Sequence, residues 1–175
     1  IMVPRNGAEL RGMMELASNY ETGPLAIRYP RGNTAELDEK KIPQIEYGKA
    51  HIVRKGQDVA LFAVGSMVDT AEKVADLLEE KGYSVAVVNA RFVKPLDGNV
   101  VVQFAEKVKL LVSLEENTIH GGFGSGVLET LSEQGICVPT LQIGVPDRFI
   151  AQGSPEEQFQ AAELSPEQIS NKKKK

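Results

Sequence analysis

The sequence predicts an α/β fold with a mostly parallel sheet and helices on both faces. Short apolar runs typical of buried strands alternate with helical patterns along most of the 175 residues, and this alternation favours parallel βαβ units. Glycine, proline and asparagine mark the turns between the runs. A chain of this length buries enough apolar surface to fold without disulfides.

The chain begins with a predicted helix at residues 8–20. Its apolar residues recur at i, i+3, i+4 and i+7 and predict a buried face formed by Leu10, Met13, Met14 and Ala17. Residues 24–29 are then predicted to form a short buried strand, which a Pro-Arg-Gly turn closes. The polar stretch that follows, 33–47, has no periodicity and predicts a linker between two structural units.

Five strands are predicted beyond this linker, at residues 49–54, 59–64, 85–89, 110–114 and 139–143. A helix before the third strand is indicated by an apolar face of Met67, Ala71, Val74, Ala75 and Leu78. The next helix has Asp97 as its predicted N-cap and a buried stripe of Val101, Phe104, Ala105 and Val108. A third helix has the apolar residues Val127, Leu128 and Leu131, and two short helices are predicted at 156–162 and 166–171.

The charge balance of the chain is acidic, with 20 Lys and Arg against 24 Asp and Glu. The absence of a Lys/Arg stripe argues against nucleic acid as a partner, because phosphate neutralisation requires a basic face. No run of 18 apolar residues predicts a membrane helix, and no leader peptide is predicted at the start. The terminal lysines, 172–175, are expected to form a solvated tail. The sequence therefore predicts a soluble intracellular protein.

The single cysteine excludes an internal disulfide and favours a reducing compartment. Cys137 lies between Ile136 and Val138 in an apolar run. Free cysteine behaves mainly as a small hydrophobic side chain. A buried structural thiol is therefore predicted at this position.

A glycine-rich stretch, 121–126, lies between a predicted strand and a predicted helix, which is the position of a dinucleotide-binding fingerprint. The match fails because Val127 stands where the third glycine belongs. We expect instead that these glycines let a helix begin close to the sheet. Glu115 and Glu116 end the preceding strand and could perform acid–base chemistry, but a structural role in capping the glycine loop is favoured.

Two arginines flank a rigid Tyr-Pro step at the end of the predicted strand 24–29. Arg28 and Arg31 therefore lie where open α/β sheets bind their ligands. Guanidinium groups bind phosphate or carboxylate bidentately and keep their charge. The residues alone leave two interpretations open, which are an anion-binding site and a salt bridge between domains.

Five strings of residues, in order over nearly the whole chain, resemble the 1-deoxy-D-xylulose-5-phosphate synthase family. They are residues 26–33, 65–67, 89–97, 115–117 with 121–126, and 146–150 with 153–154. The resemblance implies a three-layer domain of the transketolase C-terminal type at 48–171. It also implies that residues 1–32 are the last helix and strand of a pyrimidine-binding middle domain, joined by the linker 33–47.

The family condenses pyruvate with D-glyceraldehyde 3-phosphate, in isoprenoid precursor and thiamin biosynthesis. The resemblance implies that its cofactors, thiamin diphosphate and magnesium, are bound by parts of the enzyme outside this chain. It assigns acceptor-phosphate binding to Arg31, with Arg28 as a neighbour, and no catalytic residue to this chain. It implies a homodimer, in a bacterial cytoplasm or a plastid stroma, in which residues 48–171 serve dimerisation and support. The alternative is a stand-alone interaction module without catalysis.

Two further features could have indicated a metal site. Asp97 lies in a Leu-Asp-Gly-Asn stretch that partly resembles the magnesium motif of thiamin enzymes, but the leading glycine is missing. His51 and His120 have no Cys, His or carboxylate at metal-ligand spacing. We therefore predict that Asp97 caps a helix and that both histidines are hydrogen-bonded polar residues.

Overall fold

The computed structural model describes residues 1–30, 32 and 44–172. In these residues the helices are α1 (Gly7–Ser18), α2 (Met67–Glu79), α3 (Gly98–Ala105), α4 (Phe123–Glu133), α5 (Pro155–Ala161) and α6 (Pro166–Ser170). The strands are β1 (His51–Arg54), β2 (Val59–Ala63), β3 (Val85–Asn89), β4 (Leu110–Thr118) and β5 (Thr140–Val145). Each predicted strand beyond the linker is thus present, with ends shifted by a few residues.

The five strands form one sheet in the order β1-β3-β2-β4-β5. Strands β2 to β5 are parallel, with Val59 opposite both Val85 and Leu110, whereas the edge strand β1 runs antiparallel to β3. Every residue of β2 and β3 is buried, as expected for parallel strands that are covered on both faces. The predicted mostly parallel sheet is confirmed.

The side chains of β2 alternate between two apolar layers. Leu61 and Ala63 pack with α2 and α6, whereas Ala60 and Phe62 pack with α3 and α4 on the opposite face. Because successive strand residues point to opposite faces, one strand serves both layers. The prediction of helices on both faces is therefore confirmed.

Two predicted helical core positions are wrong. Met14 in α1 and Leu128 in α4 are exposed. The buried side of α1 is narrow and faces inward at Glu9 and Met13, so that Met14, about 100° further round the helix, lies outside it. Leu128 is displaced in the same way from the buried Val127.

The predicted buried strand at 24–29 is also wrong. Ile27 forms an isolated bridge to Met2, supported by the Met2 N–H donating to Ala26 O at 2.8 Å and by the Arg28 N–H donating to Met2 O at 2.9 Å. A strand needs a partner along its length, and in the described part of the chain this segment pairs with a single residue. Ala26 and Tyr29 are consequently exposed.

Cys137 is exposed, and its predicted burial is wrong. Ile136 and Val138, on either side of it, are half-buried and pack against the core layer beneath α3 and α4. In extended backbone the side chains of neighbouring residues point in opposite directions. The burial of these two residues therefore turns the thiol outward.

The helix starts follow the sequence with one difference. α5 and α6 begin with capping boxes, in which Ser154 pairs with Glu157 and Ser165 with Gln168. Asp97 stands at the N-cap of α3 as predicted, but its carboxylate accepts the Ala50 N–H at 3.1 Å and makes no cap hydrogen bond. Asp97 therefore ties the chain before β1 to the start of α3.

Candidate functional site

The N-terminal segment, residues 1–30, lies across the carboxyl ends of the sheet strands. The Val3 N–H donates to Arg91 O at 2.8 Å, and the Val93 N–H donates to Ile1 O at 2.9 Å. Val3 also packs where the chain leaves β2, because a side chain at Gly65 would overlap it. This is the edge at which open α/β sheets place their ligands, and here the protein's own residues cover it.

A buried ion pair joins α1 to the chain after β3. Arg91 Nε donates to Glu9 Oε1 at 2.8 Å, and both residues are 2% exposed. Asn89 Nδ2 donates to both carboxylate oxygens, and the Arg5 N–H donates to Glu9 Oε2 at 2.9 Å. A buried charge is tolerated only when it is paired and hydrogen-bonded in this way. The pair therefore fixes α1 on the sheet edge.

A second ion pair on the same segment is more exposed. The Arg5 guanidinium donates to Asp69 Oδ1 at 2.5 Å and to the Glu72 carboxylate, and both acids lie on α2. Its side chain is partly accessible to water, so its contribution to stability is smaller than that of a buried pair. Arg5 therefore anchors the start of the segment to α2.

Glu115 caps the N-terminus of α4 from beneath, as predicted. Its carboxylate accepts the Phe123 N–H at 2.8 Å and the Gly124 N–H at 2.9 Å. Burial raises the pKa of this carboxyl group, and the hydrogen bonds from Gly124 and Phe123 oppose that change. The glycines make the approach possible, because a side chain at Gly122 would overlap the Glu115 carboxylate. The interpretation of the glycine loop as a close helix start is confirmed.

Glu115→Gln is expected to change how stability depends on pH. Because the pKa of Glu115 in the folded state is raised above its ordinary value of 4.5, its contribution to stability is complete below that value and is lost as pH rises through the folded-state pKa. Glutamine cannot lose a proton. Urea unfolding of both proteins from pH 4 to 8 is expected to show the native chain losing stability relative to the variant as pH rises. Parallel curves would contradict this assignment.

The Arg28 side chain is held by two residues at the end of β4, here called the Arg28 clamp: Glu116 and Asn117. Arg28 Nη2 forms an ion pair with Glu116 Oε2 at 2.5 Å, and Nη1 donates to Asn117 Oδ1 at 2.8 Å. Burial raises the pKa of Glu116, and the charge of Arg28 opposes this. Of the two interpretations of Arg28, the structure shows the salt bridge. Phosphate binding by Arg28 stays a prediction, and Arg31 lies outside the described residues.

The described residues do not fit a magnesium–diphosphate site. They contain no group of three or more His, Cys, Asp or Glu that could hold a metal ion. The Asp97 carboxylate accepts a hydrogen bond from the Ala50 N–H. Burial lowers the pKa of His51, and the charge of Arg91 lowers it further.

Within the part of the chain that the structure describes, none of the helices is both long and apolar enough to span a bilayer.

Sequence reasoning missed the pair of Glu9 and Arg91, which are 82 positions apart. The sequence contained only an indirect signal of this pair. Glu9 stands one turn before Met13 on the buried side of α1, and Arg91 opens the Arg-Phe-Val-Lys-Pro string that carries the family resemblance. Neither residue type is normally buried without a partner.

The sheet order, the two helical layers and the covered carboxyl edge define an α/β domain of the transketolase type. Residues 48–169 match the family model described as "Transketolase, C-terminal domain", and the chain belongs to this family. The 1-deoxy-D-xylulose-5-phosphate synthase of Thermosynechococcus vestitus is 45% identical over 171 residues, which are 97% of this chain and 27% of the relative. The synthase of Microcystis aeruginosa is 43% identical with the same coverage. The chain thus spans about a quarter of the length of these curated relatives.

Solved structures agree on the fold. A structure described as "Split gene transketolase, inactive beta4 tetramer" superposes with a TM-score of 0.89 at 30% identity, covering 97% of this chain and 55% of that one. A transketolase point mutant from Pichia stipitis gives a TM-score of 0.71 at 20% identity over 97% of this chain and 24% of its own. The second likeness supports the fold alone.

Proposed function

We propose that this chain serves as the C-terminal part of a 1-deoxy-D-xylulose-5-phosphate synthase, a thiamin-diphosphate-dependent transferase that condenses pyruvate with D-glyceraldehyde 3-phosphate. The observation that carries the proposal is the 45% identity over 97% of the chain to a synthase of that name. The identity to the split-gene transketolase is lower, at 30% over the same share of the chain. Because of this difference in identity, we propose the synthase reaction for this chain rather than the transketolase reaction.

In this role the chain binds the phosphate of the acceptor and supports the rest of the enzyme. Arg31 is the proposed phosphate ligand, with Arg28 beside it in the sequence, because a guanidinium stays charged and matches phosphate oxygens with two parallel donors. Thiamin diphosphate and magnesium, bound elsewhere in the enzyme, supply the carbanion chemistry. Holding the acceptor by its phosphate orients its aldehyde for that reaction.

The proposed partners are a second copy of the enzyme and its own preceding domains, in a bacterial cytoplasm or a plastid stroma. Phe149, on the loop after β5, is fully exposed, whereas its neighbour Ile150 is half-buried and packs against the core. Arg148 also holds this loop by donating to Ala161 O at 3.0 Å. A large aromatic on an anchored loop is a typical contact residue in protein interfaces.

A second candidate is a self-associating module without catalysis. The solved neighbour described as an inactive beta4 tetramer favours it. Sedimentation velocity of the isolated chain tests this candidate. Strictly monomeric behaviour up to about 100 μM would remove it, since this concentration detects even weak association.

The proposal is tested in a joined protein, in which this chain replaces the matching 171 residues of the Thermosynechococcus vestitus synthase. With pyruvate, D-glyceraldehyde 3-phosphate, thiamin diphosphate and magnesium, the joined protein is expected to form 1-deoxy-D-xylulose 5-phosphate. Its Arg31→Met variant is expected to bind the phosphorylated acceptor about tenfold more weakly or worse, as loss of a charged ligand implies. A folded joined protein that makes no product would count against the proposal.

A further inference from the structure

A groove of about 730 Å³ lies on the α2 face of the sheet, where β2, β4 and β5 begin. It is left open because α6, which shares this face with α2, is short. α6 has five residues, which give a helix only about 7.5 Å long, whereas β4 has nine residues in extended conformation. A volume in this range is typical of pockets that bind small molecules.

The floor of the groove is apolar. Leu110 on β4 and Leu141 on β5 are half-buried and pack against the core layer beneath α2. Val112, two residues after Leu110, points to the same face of the sheet and also lines the groove. Leu78 of α2 and Ile169 of α6 complete the apolar lining. A ligand with an apolar chain would remove this surface from water.

Four charged side chains line the groove, namely Asp58, Lys81, Lys109 and Lys172. Two of the three lysines are paired with acids. Lys109 Nζ lies 2.7 Å from Asp58 Oδ1, and Lys172 Nζ lies 3.5 Å from Glu163 Oε2. The charges of these two lysines are therefore offset, and the excess positive charge of the groove lies at Lys81.

Lys81 is held in place by neutral groups. Its Nζ donates to Ser170 O at 3.2 Å and to Asn171 Oδ1 at 3.0 Å, both at the end of α6. It forms no ion pair within the described part of the chain. Because an ammonium group has three donors, one N–H remains for a ligand. The adjacent Gly82 leaves the mouth of the groove open, since a side chain there would meet nothing within 4 Å.

We infer that this groove binds a ligand with an apolar chain and a single carboxylate, and that Lys81 binds the carboxylate. The apolar floor accommodates the chain, and a charge-assisted hydrogen bond from Lys81 fixes its head group. One lysine without an acidic partner matches one negative charge, so a doubly charged phosphate head group fits less well. The groove lies at the sheet edge opposite the N-terminal segment, and the inference does not depend on the proposed function.

Decanoate is the probe, and isothermal titration calorimetry of the full chain measures its binding. Saturable binding to a single site is expected at concentrations below about 1 mM. Lys81→Met is expected to weaken decanoate binding by about tenfold or more, as loss of a charge-assisted hydrogen bond implies. Decan-1-ol, which has the chain without the charge, is expected to bind both proteins equally. Lys81→Arg is expected to keep most of the affinity for decanoate, because it keeps the charge.

Lys73→Met supplies the matched control. It removes one lysine charge from the exposed side of α2, outside the residues that line the groove, and is expected to leave decanoate binding unchanged. No saturable binding, or an equal loss in the control, would overturn the inference. An equal loss of decanoate and decan-1-ol in Lys81→Met would also overturn it, because Lys81 would then serve only to hold α6 in place.

Hydrogen–deuterium exchange tests the location of the site. Decanoate is expected to slow exchange at the amides of residues 109–112 and 169–171 and to leave residues 1–30 unchanged. Slower exchange only in other segments would overturn the inference. If a second copy of the chain covers the groove instead, sedimentation velocity would show self-association and decanoate would not bind, which would overturn it as well.

Discussion

Arg91→Met is expected to lower the free energy of unfolding by about 3–5 kcal/mol. The substitution leaves the Glu9 carboxylate buried at 2% exposure, without the guanidinium that donates to it at 2.8 Å. The side-chain amide of Asn89 and the backbone amide of Arg5 remain as donors, but neither carries a compensating charge. Methionine keeps much of the length of arginine and leaves little cavity. The loss of stability therefore measures mainly the removal of the ion pair.

Urea unfolding followed by circular dichroism measures this effect. Adding Glu9→Gln to Arg91→Met is expected to return part of the lost stability, because the unpaired charge is gone and the two changes are coupled. Lys109→Met, which removes an exposed ion pair with Asp58, serves as the control and is expected to leave the unfolding midpoint nearly unchanged. A loss from Arg91→Met no larger than that of the control would contradict the assigned role.

Gly124→Ala is expected to lower the free energy of unfolding by about 1–3 kcal/mol, the usual cost of overpacking. A methyl group at this position would overlap Ser113 Oγ and lie 2.8 Å from Gln142 Nε2. Ser113 and Gln142 are on neighbouring strands, so α4 would have to move away from the sheet. That movement would also stretch the hydrogen bonds from its first turn to Glu115.

Gly126, in the same helix, supplies the matched control. A methyl group there meets nothing within 4 Å, and alanine in place of a helical glycine stabilises by about 0.5–1 kcal/mol. Thermal unfolding is therefore expected to move in opposite directions for Gly124→Ala and Gly126→Ala. Equal shifts would show that the close approach of α4 to the sheet is not what constrains the glycine loop.

Much of the sheet could be predicted from the sequence because its central strands are buried on both faces. The runs that became β2 and β3 consist almost wholly of small or branched apolar residues, which is typical of covered parallel strands. The stripe of α2, from Met67 to Ala75, likewise follows directly from helical spacing. Local sequence patterns are sufficient to predict a strand or helix where its burial is uniform.

The candidate site could be predicted less well, because its contacts join residues that are far apart in sequence. Arg28 stood out by its residue type and its position before Pro30, yet its partner Glu116 is 88 positions away. The sequence therefore left a salt bridge and an anion site as equal alternatives. The predicted strand at 24–29 failed for a related reason, since pairing depends on a partner that the segment itself does not specify.

Formation of 1-deoxy-D-xylulose 5-phosphate by the joined protein tests the central claim most directly. Cofactor-dependent product is expected at a rate comparable to that of the Thermosynechococcus vestitus parent, with a KM for D-glyceraldehyde 3-phosphate that depends on Arg31. A joined protein that folds, binds thiamin diphosphate and forms no product, or whose acceptor KM is indifferent to Arg31→Met, would contradict it.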